Sequence, residues 1–242
     1  MMIERRPNFP PETEKETRLR HVALVMDGNR RWAKLHGKPT LEGHEAGRKR
    51  IEPIVTRAAE LGIDVVTFYT LSLENLERPE EEVRGLLRVL RDGFTPLMEK
   101  LREENVRFHF LGDINHFPPD LQDNFRQAEA VSKEKTGITV NLALAYGGRD
   151  EIVRAFKQIV RMGIREENIN EKIIGENLDT AGQPDPNFVI RTGERTRLSG
   201  YLTWQTVYSE IYFSNVLWPD FTVEEFNKAI SWYKEQIRTF GR

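Results

Sequence analysis

An α/β fold is predicted by three features of this sequence: a single domain with a mainly parallel, six-stranded sheet surrounded by helices. Short apolar runs alternate with stretches of helical periodicity. The runs are apolar at nearly every position, as strands are when helices cover both faces of a sheet. Polar residues able to do chemistry follow directly after the runs, where ligands bind in parallel sheets.

Residues 21–26 (HVALVM) are the first run, a buried strand that stops at the turn Asp27-Gly28-Asn29. Ile51, Ile54, Val55, Ala58 and Leu61 then recur at helical spacing, with Pro53 in the first turn or at a kink and Gly62 as terminator. Residues 65–71 (VVTFYTL) are the second strand. Pro79 opens a long helix reaching Leu101, and Glu80, Glu81 and Glu82 complement the dipole of its first turn. Val83, Leu86, Leu87, Leu90 and Phe94 form its apolar stripe, and Pro96 is expected to bend it. Residues 106–112 and 138–144 are the third and fourth strands, separated by a helix carrying Leu121, Phe125, Ala128 and Val131. After Tyr146-Gly147-Gly148 come helices through Ile152, Val153, Phe156 and Val160, and through Ile169, Ile173 and Leu178. Residues 188–190 and 210–213 are short fifth and sixth strands. A last helix carries Phe226, Ile230, Tyr233 and Ile237. Residues 1–20, with Pro7, Pro10 and Pro11, are a polar lead-in, so the domain is expected to span 21–242.

The 242 residues could bury one large core or two small ones, and the lack of a low-complexity linker favours one. A net charge of −2 argues against coating nucleic acid by bulk charge. With no Cys, disulfides, thiolate metal sites and a Cys nucleophile are excluded. No apolar run approaches the roughly 18–20 residues that span a bilayer. The first residues lack the apolar centre of a signal peptide, so a cytoplasmic location is expected.

Three segments carry candidate chemistry. In Asp27-Gly28-Asn29-Arg30-Arg31-Trp32, a Gly after a strand lets N–H groups face an anion, and the two Arg add charge-assisted bonds to phosphate. Asp27 would repel that phosphate unless a divalent cation lay between them. The same residues would also make an Asp-capped strand-to-helix turn. Ser72 to Arg78 offers a hydroxyl, an amide and a guanidinium at a strand end, or ordinary capping near Pro79. Arg191 to Ser199 places three Arg and hydroxyls after a buried strand, as a second anion site or a surface charge run. Together they suggest a phosphorylated or diphosphate substrate with an apolar tail, but do not select the reaction.

Six motifs in order carry a resemblance over nearly the whole chain: HVALVMDGNRRWA, GHEAG, SLENLERP, YGGRDEI, RTGERTRLS and YSEIYFSNVLWPDF. With them the sequence resembles the cis-prenyltransferases, the undecaprenyl and dehydrodolichyl diphosphate synthases. That resemblance implies a six-stranded parallel sheet with a hydrophobic tunnel between helix and sheet, and a homodimer. It implies Mg²⁺-dependent condensation of isopentenyl diphosphate with an allylic prenyl diphosphate, giving a longer, undecaprenyl-type polyprenyl diphosphate. Asp27 matches the family's essential Asp, tied to metal and diphosphate departure. Gly28, Asn29, Arg30, Arg31 and His44 match the allylic diphosphate pocket, with Trp32 beside it. Ser72, Leu73, Glu74, Asn75 and Arg78 match the active-site segment, where Asn75 is the candidate for helping proton removal. Arg191, Arg197, Leu198 and Ser199 match the isopentenyl diphosphate site, and Glu210 a second metal ligand. A lipid product implies peripheral contact with a membrane.

The chain departs from the pattern at three places. Leu76 replaces the usual Trp, Thr40 an Arg found in many members, and Glu194-Arg195-Thr196 the common Gly-Glu-His. These changes bear on substrate selection and keep open a short-chain or non-head-to-tail condensation. A non-catalytic accessory subunit is the reading of a different class. The absence of an Asp-Asp-x-x-Asp motif argues against the trans-prenyl synthases.

Overall fold

Alternation along the first strand organises the molecule. β1 (His21–Val25) is buried throughout. Val22 and Leu24 enter a large core on one face of the sheet, whereas Ala23 and Val25 enter a smaller one on the other. The structure, a computed structural model, describes residues 18–236. Residues 1–17 of the expected lead-in, and Ile237 onward, lie outside the described residues.

After β1 come α1 (Asn29–Leu35), α2 (Thr40–Arg48) and α3 (Ile51–Glu60), then β2 (Val65–Ser72). A single 3₁₀ turn, Leu73–Asn75, leads to α4 (Glu80–Glu103), which Pro79 precedes and which contains Pro96. β3 (Arg107–Leu111), α5 (Pro119–Ser132), β4 (Thr139–Tyr146) and α6 (Gly148–Arg161) follow. The helix expected through Ile169, Ile173 and Leu178 is short: α7 covers only Glu171–Gly175, with Asn170 accepting a bond from the Ile173 N–H. β5 (Phe188–Arg191), β6 (Glu210–Phe213) and α8 (Val223–Lys234) complete the described chain.

The sheet order is β3-β4-β2-β1-β5-β6, and every pairing is parallel. From β1 the chain adds β2, crosses to β3 at the edge and inserts β4 between them, then returns to add β5 and β6 on the other side. The order therefore reverses between β1 and β5, and a crevice opens beyond their carboxyl ends. Val25 pairs with Arg191 there, which sets Asp27 beside the fifth strand.

Phe94 of α4, Phe125 of α5 and Phe110 of β3 close the larger core around a tilted aromatic cluster. Near the carboxyl end of β2 the register against β4 shifts around Thr70. That irregularity turns both Thr70 and Leu71 toward one cavity, which regular alternation would forbid. Among the described residues, no helix is long and apolar enough to cross a membrane.

Candidate active site

Asp27 lies two residues past β1, in the turn that leads into α1. Its carboxylate is held between two guanidinium groups. Arg191 Nη2 donates to Oδ2 at 2.8 Å, and Arg31 Nη2 to Oδ1 at 3.3 Å. Its backbone carbonyl accepts from Thr192 Oγ1 at 2.7 Å and from the Trp218 N–H at 3.0 Å. Gly28 adopts φ +118°, and a Cβ there would come within 2.9 Å of the Leu217 side chain. Only glycine fits that turn. Gly193 is equally constrained: at φ +81°, its missing Cβ leaves room for Arg31 Nη2 and the Asp27 carbonyl.

Arg191, the last residue of β5, is 4% exposed. It donates from Nη1 to Ser199 Oγ at 2.9 Å and to the Arg197 carbonyl, while its Nε is buried without a partner. Ser199 and Glu194 both have positive φ, at 55° and 65°. A non-glycine residue there carries strain that this loop sustains next to the site. Leu198 packs on the smaller core, whereas Arg195 and Arg197 are exposed.

On the other side of Asp27, α1 and α2 meet the start of α4. Glu82 bridges Arg78 at 3.0 Å and Arg30 at 3.6 Å. His44 faces this cluster, and its Nε2 is buried without a partner. Burial, then the Arg78 charge, push its pKa down to about 4, with Glu82 opposing and Arg30 adding to the fall. The imidazole is therefore neutral at neutral pH. Asn29 Oδ1 is also buried and unpartnered, against Gly47. Unmade hydrogen bonds at buried atoms are costly, and three fall on residues the sequence marked as anion-binding.

Met26, Asn29 and His44 form the head of a cavity of about 300 Å³. It runs between the sheet, at Thr70, Leu71 and Leu142, and α4, at Leu86, Leu90 and Phe94. This is the position expected for a hydrophobic tunnel.

Ser72 and Asn75 cap the 3₁₀ turn, with the Ser72 N–H donating to Asn75 Oδ1 at 3.2 Å. Leu73 and Leu76 pack on the larger core, and Glu74 is exposed. Trp32 is tied to Asp220 at 2.8 Å and stacked on His36. Thr40 is the first residue of α2.

Glu210 does not join this group. It opens β6 opposite Phe188, at the amino end of the strands. Strand rise and spacing put it on the order of 20 Å from Asp27. Within one chain the fold therefore does not bring Glu210 beside Asp27. Among the described residues no cluster of three or more acidic or imidazole groups could hold a metal. The sequence reading missed Glu82, taken only as a dipole partner. Its spacing of four residues from Arg78 was the available signal.

A parallel sheet with guanidinium groups around one carboxylate, above an apolar cavity, defines a protein that handles an anionic head and an apolar tail. The family described as "Putative undecaprenyl diphosphate synthase" matches residues 25–241. An isoprenyl transferase from Clostridium tetani is 40% identical over 226 residues, covering 92% of this chain and 89% of that protein. A ditrans,polycis-undecaprenyl-diphosphate synthase ((2E,6E)-farnesyl-diphosphate specific) from Pasteurella multocida is 38% identical, covering 99% of this chain and 98% of that one. The crystal structure of lavandulyl diphosphate synthase from Lavandula x intermedia, in complex with dimethylallyl diphosphate, superposes with a TM-score of 0.90 at 35% identity, covering 94% of this chain and 100% of that one. The chain belongs to the undecaprenyl diphosphate synthase family of prenyltransferases and is a transferase of prenyl groups.

Proposed function

We propose that this enzyme condenses isopentenyl diphosphate with an allylic prenyl diphosphate, with a new cis double bond, to give a longer polyprenyl diphosphate. One observation carries the reading: Asp27, clamped by Arg31 and Arg191, lies in the chain between Met26 and Asn29, which line the head of an apolar cavity. The relatives' names support the donor class, since one is farnesyl-diphosphate specific and another was crystallised with dimethylallyl diphosphate.

The allylic diphosphate takes the side of Arg30, Arg31, Arg78 and His44. With its proton on Nε2, neutral His44 donates to a phosphate oxygen and satisfies its orphaned atom. Isopentenyl diphosphate takes the side of Arg191, Arg197 and Ser199, and Arg191 Nε gains a partner there. The tail lies along the cavity, where water is excluded.

The residues fit Mg²⁺ through Asp27. Such ions take one or two carboxylates and complete their shell with substrate phosphates and water. The orphaned acceptor Asn29 Oδ1, on the second residue after Asp27, suits a cation's bound water and not a phosphate. When bound, Mg²⁺ would neutralise charge on the departing diphosphate.

In the reaction the allylic C–O bond breaks, and the isopentenyl double bond supplies the electrons for the new C–C bond. Arg31 and Arg78 hold the charge that develops on the leaving diphosphate. A proton then leaves the isopentenyl C2 carbon. The Asn75 amide is too weak a base to keep it, so Asn75 orients the transfer and the proton ends on a diphosphate oxygen.

We place the catalytic domain at residues 21–242 and the enzyme in the cytoplasm, with peripheral membrane contact as the lipid leaves. A homodimer is supported by α6, which exposes Val153, Phe156 and Val160 along one face. Release of inorganic diphosphate tests the function. It should need both isopentenyl and allylic diphosphates and stop with EDTA. Release from either substrate alone at the same rate would overturn the reading.

A further inference from the structure

The cavity headed by Met26 and Asn29 is apolar along the sheet and α4, but on the α2 side Arg48, at the last position of that helix, lines it together with Lys49 and Glu52. Its stem is seated on Gly93 of α4. A Cβ at Gly93 would lie 2.3 Å from Arg48 Cδ and 2.9 Å from Nε. Glycine is among the poorest residues for a helix interior. Here it opens a notch, and the Arg48 side chain fills it.

That notch fixes the depth of the charge. Glu82, paired with Arg78, lies beside His44, which lines the head of the cavity. Gly93 lies eleven residues further along α4, about 16 Å at 1.5 Å per residue. An extended isoprene unit, four carbon–carbon bonds of roughly 1.5 Å in a zigzag, spans about 5 Å. Some three units therefore fit between the head and Arg48. The volume sets a tighter bound: 300 Å³ holds about ten groups the size of a water, or two five-carbon units. A longer tail would have to press hydrocarbon against a guanidinium and strip its water, which is unfavourable.

We propose that Arg48, seated on Gly93, is the stop that ends chain growth, so that the enzyme releases products of no more than about four isoprene units. This rests on the reading of the site as a prenyltransferase. The three to four units follow from two or three held in the cavity plus the one added last.

Two arms test it on the full-length protein. In the first, native protein, Arg48→Met and Arg48→Ala are each given Mg²⁺, isopentenyl diphosphate and dimethylallyl diphosphate, and products are sized by mass spectrometry. The native ladder should end by four units. Both variants should extend it by at least one, Arg48→Ala the further. A native ladder running past four units, or identical ladders in all three proteins, overturns the stop. In the second arm, affinities are measured for allylic diphosphates of one to five units. Native affinity should rise to three units and fall at least tenfold at five. Equal affinity for three and five overturns the stop whatever the turnover. Absence of turnover with dimethylallyl diphosphate in all three proteins counts against the prenyltransferase reading, and the binding arm still decides the role of Arg48.

Discussion

Replacing Asp27 with Ala separates stability from chemistry. The change leaves Arg191, 4% exposed, without its carboxylate. Breaking a fully buried pair costs about 3–5 kcal/mol. Here the Asp27 side chain is 31% exposed, and Arg191 keeps Ser199 and the Arg197 carbonyl. Water can reach the gap, so the loss should be about 2 kcal/mol, or about 4–8 °C in Tm for a chain of this size. Against a total of about 5–15 kcal/mol, the protein remains folded. Turnover should fall much further, by about 10²–10³-fold, the usual effect of removing one electrostatic group aimed at developing charge. Asp27→Asn sharpens the contrast. Its carbonyl can still accept from Arg191, so stability should recover while turnover does not. Steady-state diphosphate release and thermal melts on the same samples read both quantities. A folded Asp27→Ala protein within about threefold of native turnover would refute the assigned role.

Three further outcomes follow from the same geometry. His21, fully buried between the Pro184 carbonyl and Thr67, and His44 both have folded pKa values of about 4, driven first by burial. Their unfolded pKa is near 6.5, so the unfolded state binds more protons between these values, and their contribution is whole above pH 6.5 and lost as pH falls toward 4. Each weakens stability by up to about 1.4 kcal/mol per pH unit. His109 opposes them: contacts with Glu129 and the Asp179 carbonyl outweigh its burial and raise its pKa. His44→Gln should flatten the fall in urea midpoint between pH 7 and pH 5, and an unchanged slope would contradict this. Gly47→Ala should cost about 1–3 kcal/mol and weaken substrate affinity, because its Cβ would meet Asn29 Oδ1 at 2.3 Å and buried Trp218 at 2.7 Å; unchanged melting would show that the contact relaxes freely. Phe156→Glu with Val160→Glu should give a monomer by light scattering if α6 forms the dimer face, whereas a persisting dimer would move that face elsewhere.

Local pattern made the strands legible. Apolar runs at β1, β2 and β4, broken only by residues such as Thr67 and Asn141, are short enough and bounded by turns closely enough to read as strands buried on both faces, and the helix after Pro79 announced itself through its acidic first turn and leucine stripe. The sheet order was not legible, because it depends on contacts far apart in sequence. Asp27 and Arg191 are separated by 164 positions, and only the insertion of β5 beside β1 joins them. The residue types around the site were readable from their motifs, but their pairing was not. Glu82 looked like a dipole partner until the fold brought Arg30 to it. Glu210 lay in a motif with the right chemistry, yet its place at the start of β6 sets it at the far end of the sheet. Arg48 gave no signal, since nothing local shows that a surface-type residue will settle into a notch at Gly93.

Product analysis tests the central claim most directly. Purified protein is incubated with Mg²⁺, isopentenyl diphosphate and, in parallel, dimethylallyl, farnesyl and geranylgeranyl diphosphates, and the products are read by mass spectrometry and by NMR of the double bonds. The expected result is elongation of dimethylallyl and farnesyl diphosphates to products spaced by one isoprene unit and ending by four, with new cis bonds, lost with EDTA and in Asp27→Ala. Folded protein that yields no elongated product from any donor would contradict it.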